Sequence, residues 1–494
     1  IFFSIRGLKK NGNKFIKNAI KNGAKTIISD LNFQGKKGNI LFIKDKNVRK
    51  LTPQIASKFY KNKPENLIAV TGTNGKSSIA SLYFQILKNR KFKVASIGTL
   101  GIKTNFSNKL TDNTTLDPIT IHKNLSSIKR KKITNTILEA SSHGLKQHRL
   151  DGLKFDTAIF TNLSRDHLDY HKTYKDYFNS KLILFNKLIK KRGMVIYDND
   201  IYHSKILKKI CKIKNLKSLT IGKKNSNLII KKHEYFGNQQ IVEIEFNKKK
   251  YSFSTNLIGK IQVKNILFSI LAASRSKIKF NKIIESIKDI KPVEGRLEII
   301  GKIKNNSKVI LDYAHTPDAL KYTLESIKDQ FGQSTISIVF GCGGDRDKDK
   351  RSIMGKIANQ YCNKIFLTDD NPRYENPNKI RNQIKKKITR SKLVEIPSRK
   401  KAIRTAIKNL NSGDILLVAG KGHEIYQEYR GKKKIFSDKK HILKEINSKN
   451  LKLFKNWKAN ILNEKCNLSL VNKKLKINKA SINSKNIKKN DIFF

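Results

Sequence analysis

Short apolar runs that end on small or turn-forming residues alternate with amphipathic stretches through most of the chain. Residues 66–71 (NLIAVT) run into a glycine-rich turn, and residues 77–89 then bring Ile79, Leu82, Tyr83 and Ile86 onto one face at helical spacing. The pattern predicts a strand, a loop and a helix in that order. Comparable strands are predicted at 136–138, 157–161, 308–311, 336–340, 364–368 and 414–418, most followed by helical periodicity. Such alternation predicts an α/β fold of mostly parallel sheets. Residues 1–5 (IFFSI) read as an apolar strand with no turn before it. Pro64 and residues 291–295 (KPVEG) punctuate the chain, and a polar tract that begins at Ser448 reads as a linker. The expected divisions are therefore 1–63, 64–295, 296–447 and 448–494.

Composition narrows the class. With 38% hydrophobic residues over 494 positions, the chain has apolar surface for several cores, which excludes a disordered polyelectrolyte and a single small module. Its 105 Lys and Arg against 38 Asp and Glu give a formal charge of +67. Clustered, that excess would suggest a polyanion partner. Here it is spread along the chain, so lysine on every solvated face competes with a nucleic-acid surface as the explanation. Cys211, Cys342, Cys362 and Cys466 are far apart and form no C-x-x-C pair, which argues against a disulfide framework or a zinc site. No apolar run approaches the roughly 20 residues of a membrane span, and the first residues carry no signal-peptide pattern. A cytoplasmic protein is expected.

Six segments carry candidate chemistry, all at predicted strand ends. In residues 71–78 (TGTNGKSS), backbone N–H groups and a helix N-terminus would converge on an anion, with Lys76 reaching phosphates and Ser77 ligating Mg²⁺. Val70 stands where the strict phosphate-loop pattern has its first glycine. Glu139, at the end of the next strand, offers the oxygen that a hard cation prefers. His167 and His171 lie four apart, but Leu168 occupies the position where a zinc protease needs glutamate, so that chemistry is not expected. Residues 341–348 (GCGGDRDK), 369–373 (DDNPR) and 420–424 (GKGHE) each follow a strand. In a parallel sheet they would share one edge, with Arg346 and Arg373 available to carboxylates and Glu424 to an ammonium group.

These segments, together with DNTT (112–115), EASSHGLKQHRL (139–150), TNLSRDHLDYH (161–171) and DYAHTPDAL (312–320), resemble the Mur ligase family, most closely its MurE-type branch, over most of residues 1–447. The resemblance implies three domains, with a central P-loop ATPase domain and a Rossmann-like C-terminal domain. It implies an ATP-dependent amide ligase that adds meso-diaminopimelate to UDP-N-acetylmuramoyl-L-alanyl-D-glutamate through an acyl phosphate, in bacterial peptidoglycan synthesis. The alternatives are a folylpolyglutamate synthase-like ligase and a basic nucleic-acid-binding P-loop protein.

The roles implied are these. Gly72, Thr73, Asn74, Gly75, Lys76, Ser77 and Ser78, with Asn265 and Arg296, would hold ATP. Leu8, Lys9, Lys10, Asn113, Thr114, Thr115, Ser141, Gln147 and Arg149 would hold the UDP substrate. Ser77, Glu139 and His167 would surround Mg²⁺, with Lys181 as a carbamate, and Lys76, Lys181, His167 and Glu139 would carry the catalysis. Arg346, Asp370, Asn371, Pro372, Arg373, Gly420 and Glu424 would hold diaminopimelate, with Arg373 on its second carboxylate. No membrane and no specific nucleic acid is expected as a partner. Gln262 and Asp349 depart from the family's usual Asn and Gly. Residues 476–494 resemble the opening of another such ligase, which suggests a fused MurF-like partner or, alternatively, a permuted chain whose tail completes the first domain.

Overall fold

The computed structural model describes residues 1–7 and 11–455, and in the tail only the backbone of Ala480–Ser481 and Ile492–Phe493. The chain divides into two compact units: residues 1–255 with 260–291, and residues 256–259 with 292–494.

The first unit opens with a small sheet of strands β1 (Phe2–Phe3), β2 (Thr26–Ser29), β3 (Gly35–Lys37) and β4 (Ile40–Lys44) in the order β1-β2-β4-β3. The strand expected over residues 1–5 is only two residues long. Ile1 is 68% exposed, and apolar content without a second buried face does not extend the ladder. The tail strands Ala480–Ser481 and Ile492–Phe493 pair with each other in parallel, not with β1 as permutation would require.

The main sheet of this unit has eleven strands: β5 (Asn66–Thr71), β6 (Val94–Gly98), β7 (Gly101–Thr104), β8 (Asn108–Lys109), β9 (Asn135–Glu139), β10 (Phe155–Phe160), β11 (Ile189–Asp198), β12 (Lys217–Gly222), β13 (Leu228–Phe236), β14 (Gln239–Phe246) and β15 (Lys249–Thr255). Their order is β15-β14-β13-β12-β11-β10-β5-β9-β6-β7-β8, parallel from β6 to β13 with antiparallel edges. β5 and β9 are buried along nearly their whole length, which is why they read as continuous apolar runs rather than as alternation. Helix Lys76–Asn89 covers β5, and the mostly apolar helix Lys260–Ala273 packs against it, buried nearly all round. Val70 pairs with Glu139 and Thr71 with Phe160, so the carboxyl ends of β5, β9 and β10 are level.

The second unit holds β16 (Glu298–Ile299), β17 (Lys308–Asp312), β18 (Ile336–Phe340), β19 (Lys364–Leu367), β20 (Leu393–Glu395) and β21 (Ile415–Ala419), ordered β16-β17-β21-β18-β19-β20 and parallel except for β16. Its core joins Val309, Leu311, Val339, Phe366, Leu416 and Val418 to helices Arg399–Lys408 and Asp438–Lys455. The tract from Ser448, read from sequence as a linker, continues helix Asp438–Lys455. Lys449 Nζ donates to the carbonyls of Ile407, Lys408 and Leu410, and Asn450 bonds the backbone of Lys302 and Lys304, so its polar side chains finish other elements of the unit.

Candidate active site

In the first unit the site is built on the ends of β5, β9 and β10. Gly72 adopts φ +142°, and a β-carbon there would run into the Thr161 side chain; Gly75, at φ +93°, caps helix Lys76–Asn89. Only glycine fits this path without strain. Asn162 Oδ1 accepts the Asn74 N–H at 2.9 Å and Thr161 Oγ1 donates to the Asn74 carbonyl at 2.6 Å, which fixes the loop from the neighbouring strand. Lys76 Nζ folds back to donate to the carbonyls of Gly72 and Thr73 at 2.9 and 2.8 Å. Thr73 Oγ1 lies 3.1 Å from Tyr177 Oη. Ser78 is buried in the first helical turn, and Asn265 lies beside Gly75 while donating to Gln262 Oε1 at 3.1 Å. The Gln that departs from the family pattern therefore orients the Asn next to it.

Ser77 Oγ donates to Glu139 Oε2 at 2.8 Å, and Glu139 also accepts from the Thr99 N–H at 2.9 Å and from Thr99 Oγ1 at 3.1 Å. A hydroxyl and a carboxylate, both buried and meeting at the level of the phosphate loop, are the oxygen donors that Mg²⁺ takes. Lys181 is 1% exposed, and its Nζ donates to the Gly72 carbonyl at 2.7 Å, 4.3 Å from the centre of the Tyr177 ring. Burial, then the neighbouring charge of Lys76, hold its pKa well below the ordinary lysine value, with Asp166 opposing. His167 sits at φ +56°, with its ring 4.8 Å from His143 and 6.1 Å from Tyr177, the ring beneath Lys181. His167 precedes the one-turn helix Leu168–His171 rather than lying within a longer helix with His171. His171 is fully buried, with Ser142 Oγ 2.9 Å from Nε2 and Ser180 Oγ 3.3 Å from Nδ1, so both ring nitrogens are engaged and the two histidines do not form a ligand pair; burial also lowers its pKa to about 4.

Thr115 Oγ1 donates to the Glu139 carbonyl at 2.8 Å and accepts from the Ser141 N–H at 2.9 Å. Arg149 donates to the Thr115 carbonyl at 2.6 Å and to Gln147 Oε1, while Thr114 Oγ1 lies 2.9 Å from Thr99 Oγ1. Asn113, Gln147 and Arg149 line a cavity of about 410 Å³ together with Ile5 and Arg49, two residues that no motif singles out as ligand contacts. Leu8, Lys9 and Lys10 lie outside the described residues.

In the second unit, the loops after β18, β19 and β21 do meet along one sheet edge. Asn371 Nδ2 donates to Glu424 Oε2 at 3.0 Å, Arg373 donates to the Gly344 carbonyl at 2.7 Å, and Asp370 lies against Gly420. Pro372 packs so closely on Gly344 that a β-carbon there would meet its carbonyl. Arg373 takes φ +55° and lies 3.7 Å from Glu428; Arg346 is exposed on its loop, and Arg296 stacks 4.4 Å over Tyr313. Sequence reasoning passed over Lys421, which is fully buried and donates to Asn371 Oδ1 at 3.0 Å and Glu424 Oε2 at 2.8 Å. It also passed over Arg351, whose buried guanidinium grips Glu375 with two bonds of 2.7 Å beneath the same loops. Lys421 lies inside the segment 420–424 and Arg351 three residues beyond 341–348, but among so many basic residues nothing marked them as buried.

The Mur ligase middle domain matches residues 70–273, and the Mur ligase glutamate ligase domain matches residues 295–422. The chain belongs to the Mur ligase family. It is 40% identical, over 443 residues, to the UDP-N-acetylmuramoyl-L-alanyl-D-glutamate--2,6-diaminopimelate ligase of Rickettsia montanensis, covering 89% of this chain and 91% of that one. A solved structure of an enzyme of that name is similar at 31% identity and TM-score 0.61, covering 88% and 89% of the two chains. The ligase MurF from Thermotoga maritima, solved with ADP, shares the fold at 17% identity and TM-score 0.65, over 92% and 95%.

Proposed function

We propose that this chain is an ATP-dependent ligase that joins the amine of meso-diaminopimelate to the D-glutamyl side-chain carboxylate of UDP-N-acetylmuramoyl-L-alanyl-D-glutamate. The observation that carries the proposal is the DNPR turn at 370–373, held by Glu424, Lys421 and Gly344 in a chain 40% identical to ligases of that name. A carboxylate oxygen attacks the γ-phosphorus, ADP leaves, and the amine displaces phosphate from the acyl phosphate. Lys76, released from its own loop carbonyls, neutralises charge on the transferring group. Ser77 and Glu139 would hold Mg²⁺, with His167 as a further proposed ligand, and the bound ion would supply charge neutralisation on the phosphates. Lys181, whose pKa burial lowers well below the ordinary lysine value, is suited to take up CO₂ as a carbamate, which turns a cation into an anionic ligand. Asn113, Gln147 and Arg149, which line the cavity of about 410 Å³, bind the UDP substrate together with Thr114, Thr115 and Ser141. Arg373 binds the distal carboxylate of the amino acid, and Glu424 with Asn371 and Asp370 its ammonium end.

ATP and a UDP-activated precursor place this reaction in the cytoplasm, and no helix among the described residues is long and apolar enough to cross a membrane. The matches to Mur ligases support one such ligase in this chain and give no support to a fused MurF-like ligase beginning in 448–494. The test is ADP release with the UDP-dipeptide and a panel of amino acids and folates. Turnover with meso-diaminopimelate and not with L-lysine or tetrahydrofolate is expected; equal turnover with lysine would overturn the assignment.

A further inference from the structure

At the opposite end of the P-loop sheet, the amino ends of β5, β9, β10, β11 and β12 surround a second cavity, of about 470 Å³. β5 separates it from the phosphate loop by roughly 17 Å, at about 3.3 Å per residue. Its floor is amide and hydroxyl: Asn66 Nδ2 donates to Asn135 Oδ1 at 2.9 Å and to Ser276 Oγ at 3.1 Å, and Asn135 and Ser276 are buried. Its wall is a bulge. Phe155 pairs with Ile189 and Thr157 with Met194, so residues 190–193 (KKRG) leave the ladder opposite the single residue Asp156, and Arg192 takes φ +57°. A bulge of this size in a central strand sacrifices ladder bonds and re-aims side chains, a device concentrated near functional sites.

The charge is one-sided. Six basic residues, Lys190, Lys191, Arg192, Lys217, Arg275 and Lys277, line the cavity against two acids, Glu65 and Asp156. Both acids are already engaged, Glu65 with Lys129 and Asp156 with Lys190, each at 2.6 Å. In a chain of 88 Lys and only 17 Arg, two of the arginines face this cavity, and a guanidinium binds phosphate oxygens in a fork that lysine cannot reproduce.

We infer that this cavity is a second ligand site, separate from the phosphate loop, for a small molecule bearing a di- or triphosphate. The excess of four positive charges needs at least two phosphoryl groups, each about −1.5 to −2. The volume suits a ligand of nucleotide size. The amide floor takes the polar body and the rim takes the phosphates.

Inorganic pyrophosphate, titrated calorimetrically into the full chain at physiological salt, tests the site. The wild type is expected to show two classes of binding, one lost in Lys76→Ala. The other weakens at least about tenfold in Arg192→Gln/Arg275→Gln, with the melting temperature unchanged. A control that removes the same charge elsewhere, Lys401→Gln/Lys408→Gln, should move it less than about twofold. Equal weakening in both pairs would mean diffuse attraction and overturn the site, as would complete loss of binding in Lys76→Ala alone.

Discussion

Replacing Lys421 with Met tests whether the amino-acid end of the site is held by a buried ammonium. The side chain is 0% exposed, and its Nζ donates to Asn371 Oδ1 at 3.0 Å and Glu424 Oε2 at 2.8 Å. Methionine keeps the length and apolar stem and removes both donors. A hydrogen bond to a charged group contributes about 1.5–3 kcal/mol and a neutral one about 0.5–1.5 kcal/mol. Glu424 keeps its bond from Asn371 and its side chain is 19% exposed, so water relieves part of the loss. The desolvation cost of the ammonium is also recovered. The net expectation is about 1–3 kcal/mol, or roughly 3–10 °C in melting temperature for a unit of this size. With Glu424 less firmly held, KM for the amino acid should rise about tenfold or more, while KM for ATP stays within about twofold. Thermal melts and initial-rate kinetics with each substrate varied in turn read both effects. An unchanged amino-acid KM beside a lowered melting temperature would show that Lys421 supports the fold alone and refute the positioning argument.

Other expectations follow from single groups. Lys181→Ala should abolish ligation while ATP still binds, with short carboxylates restoring part of the rate; full activity would make Lys181 an ordinary buried lysine. Arg373→Lys should weaken use of diaminopimelate far more than ATP binding, because an ammonium cannot replace a bidentate fork; equal effects in the two titrations would refute this. His122 is fully buried, with Nε2 3.1 Å from the Asp151 carbonyl and, among the described residues, no partner for Nδ1, and burial lowers its pKa to about 4. The unfolded chain therefore takes up a proton that the folded chain refuses, and stability falls as pH drops from about 6.5 towards 4. The loss between pH 7 and pH 5 is about 2 kcal/mol. Urea denaturation of His122→Gln should show correspondingly less pH dependence, and an unchanged slope would exclude His122 as its source.

The strands were legible because they are buried on both faces. Residues 136–138 and 414–418 were read within a residue or so of the observed Asn135–Glu139 and Ile415–Ala419, since unbroken apolar runs stand out in so polar a chain. The meeting of the loops at 341–348, 369–373 and 420–424 was legible from topology, because parallel strands put their carboxyl ends on one edge. The pairing inside the site was not. Arg351 and Glu375 are 24 positions apart, Arg399 and Asp438 are 39 apart, and nothing local in the chain couples them. The polar tract from Ser448 misled because solvation and capping use the same residue types, and sequence alone does not say which carbonyl a lysine will reach.

That last helix changes where the protein can be divided. Lys449 reaches across to the final carbonyls of helix Arg399–Lys408, groups that a helix leaves without partners of its own. A fragment ended at Asn447, the domain boundary expected from sequence, would strip those carbonyls of their donor and remove the Asn450 ties to the backbone of Lys302 and Lys304. Shortened chains made for crystallisation or assay therefore belong on the far side of Lys455, and one cut at 447 would report the damage of the cut as if it were a property of the enzyme.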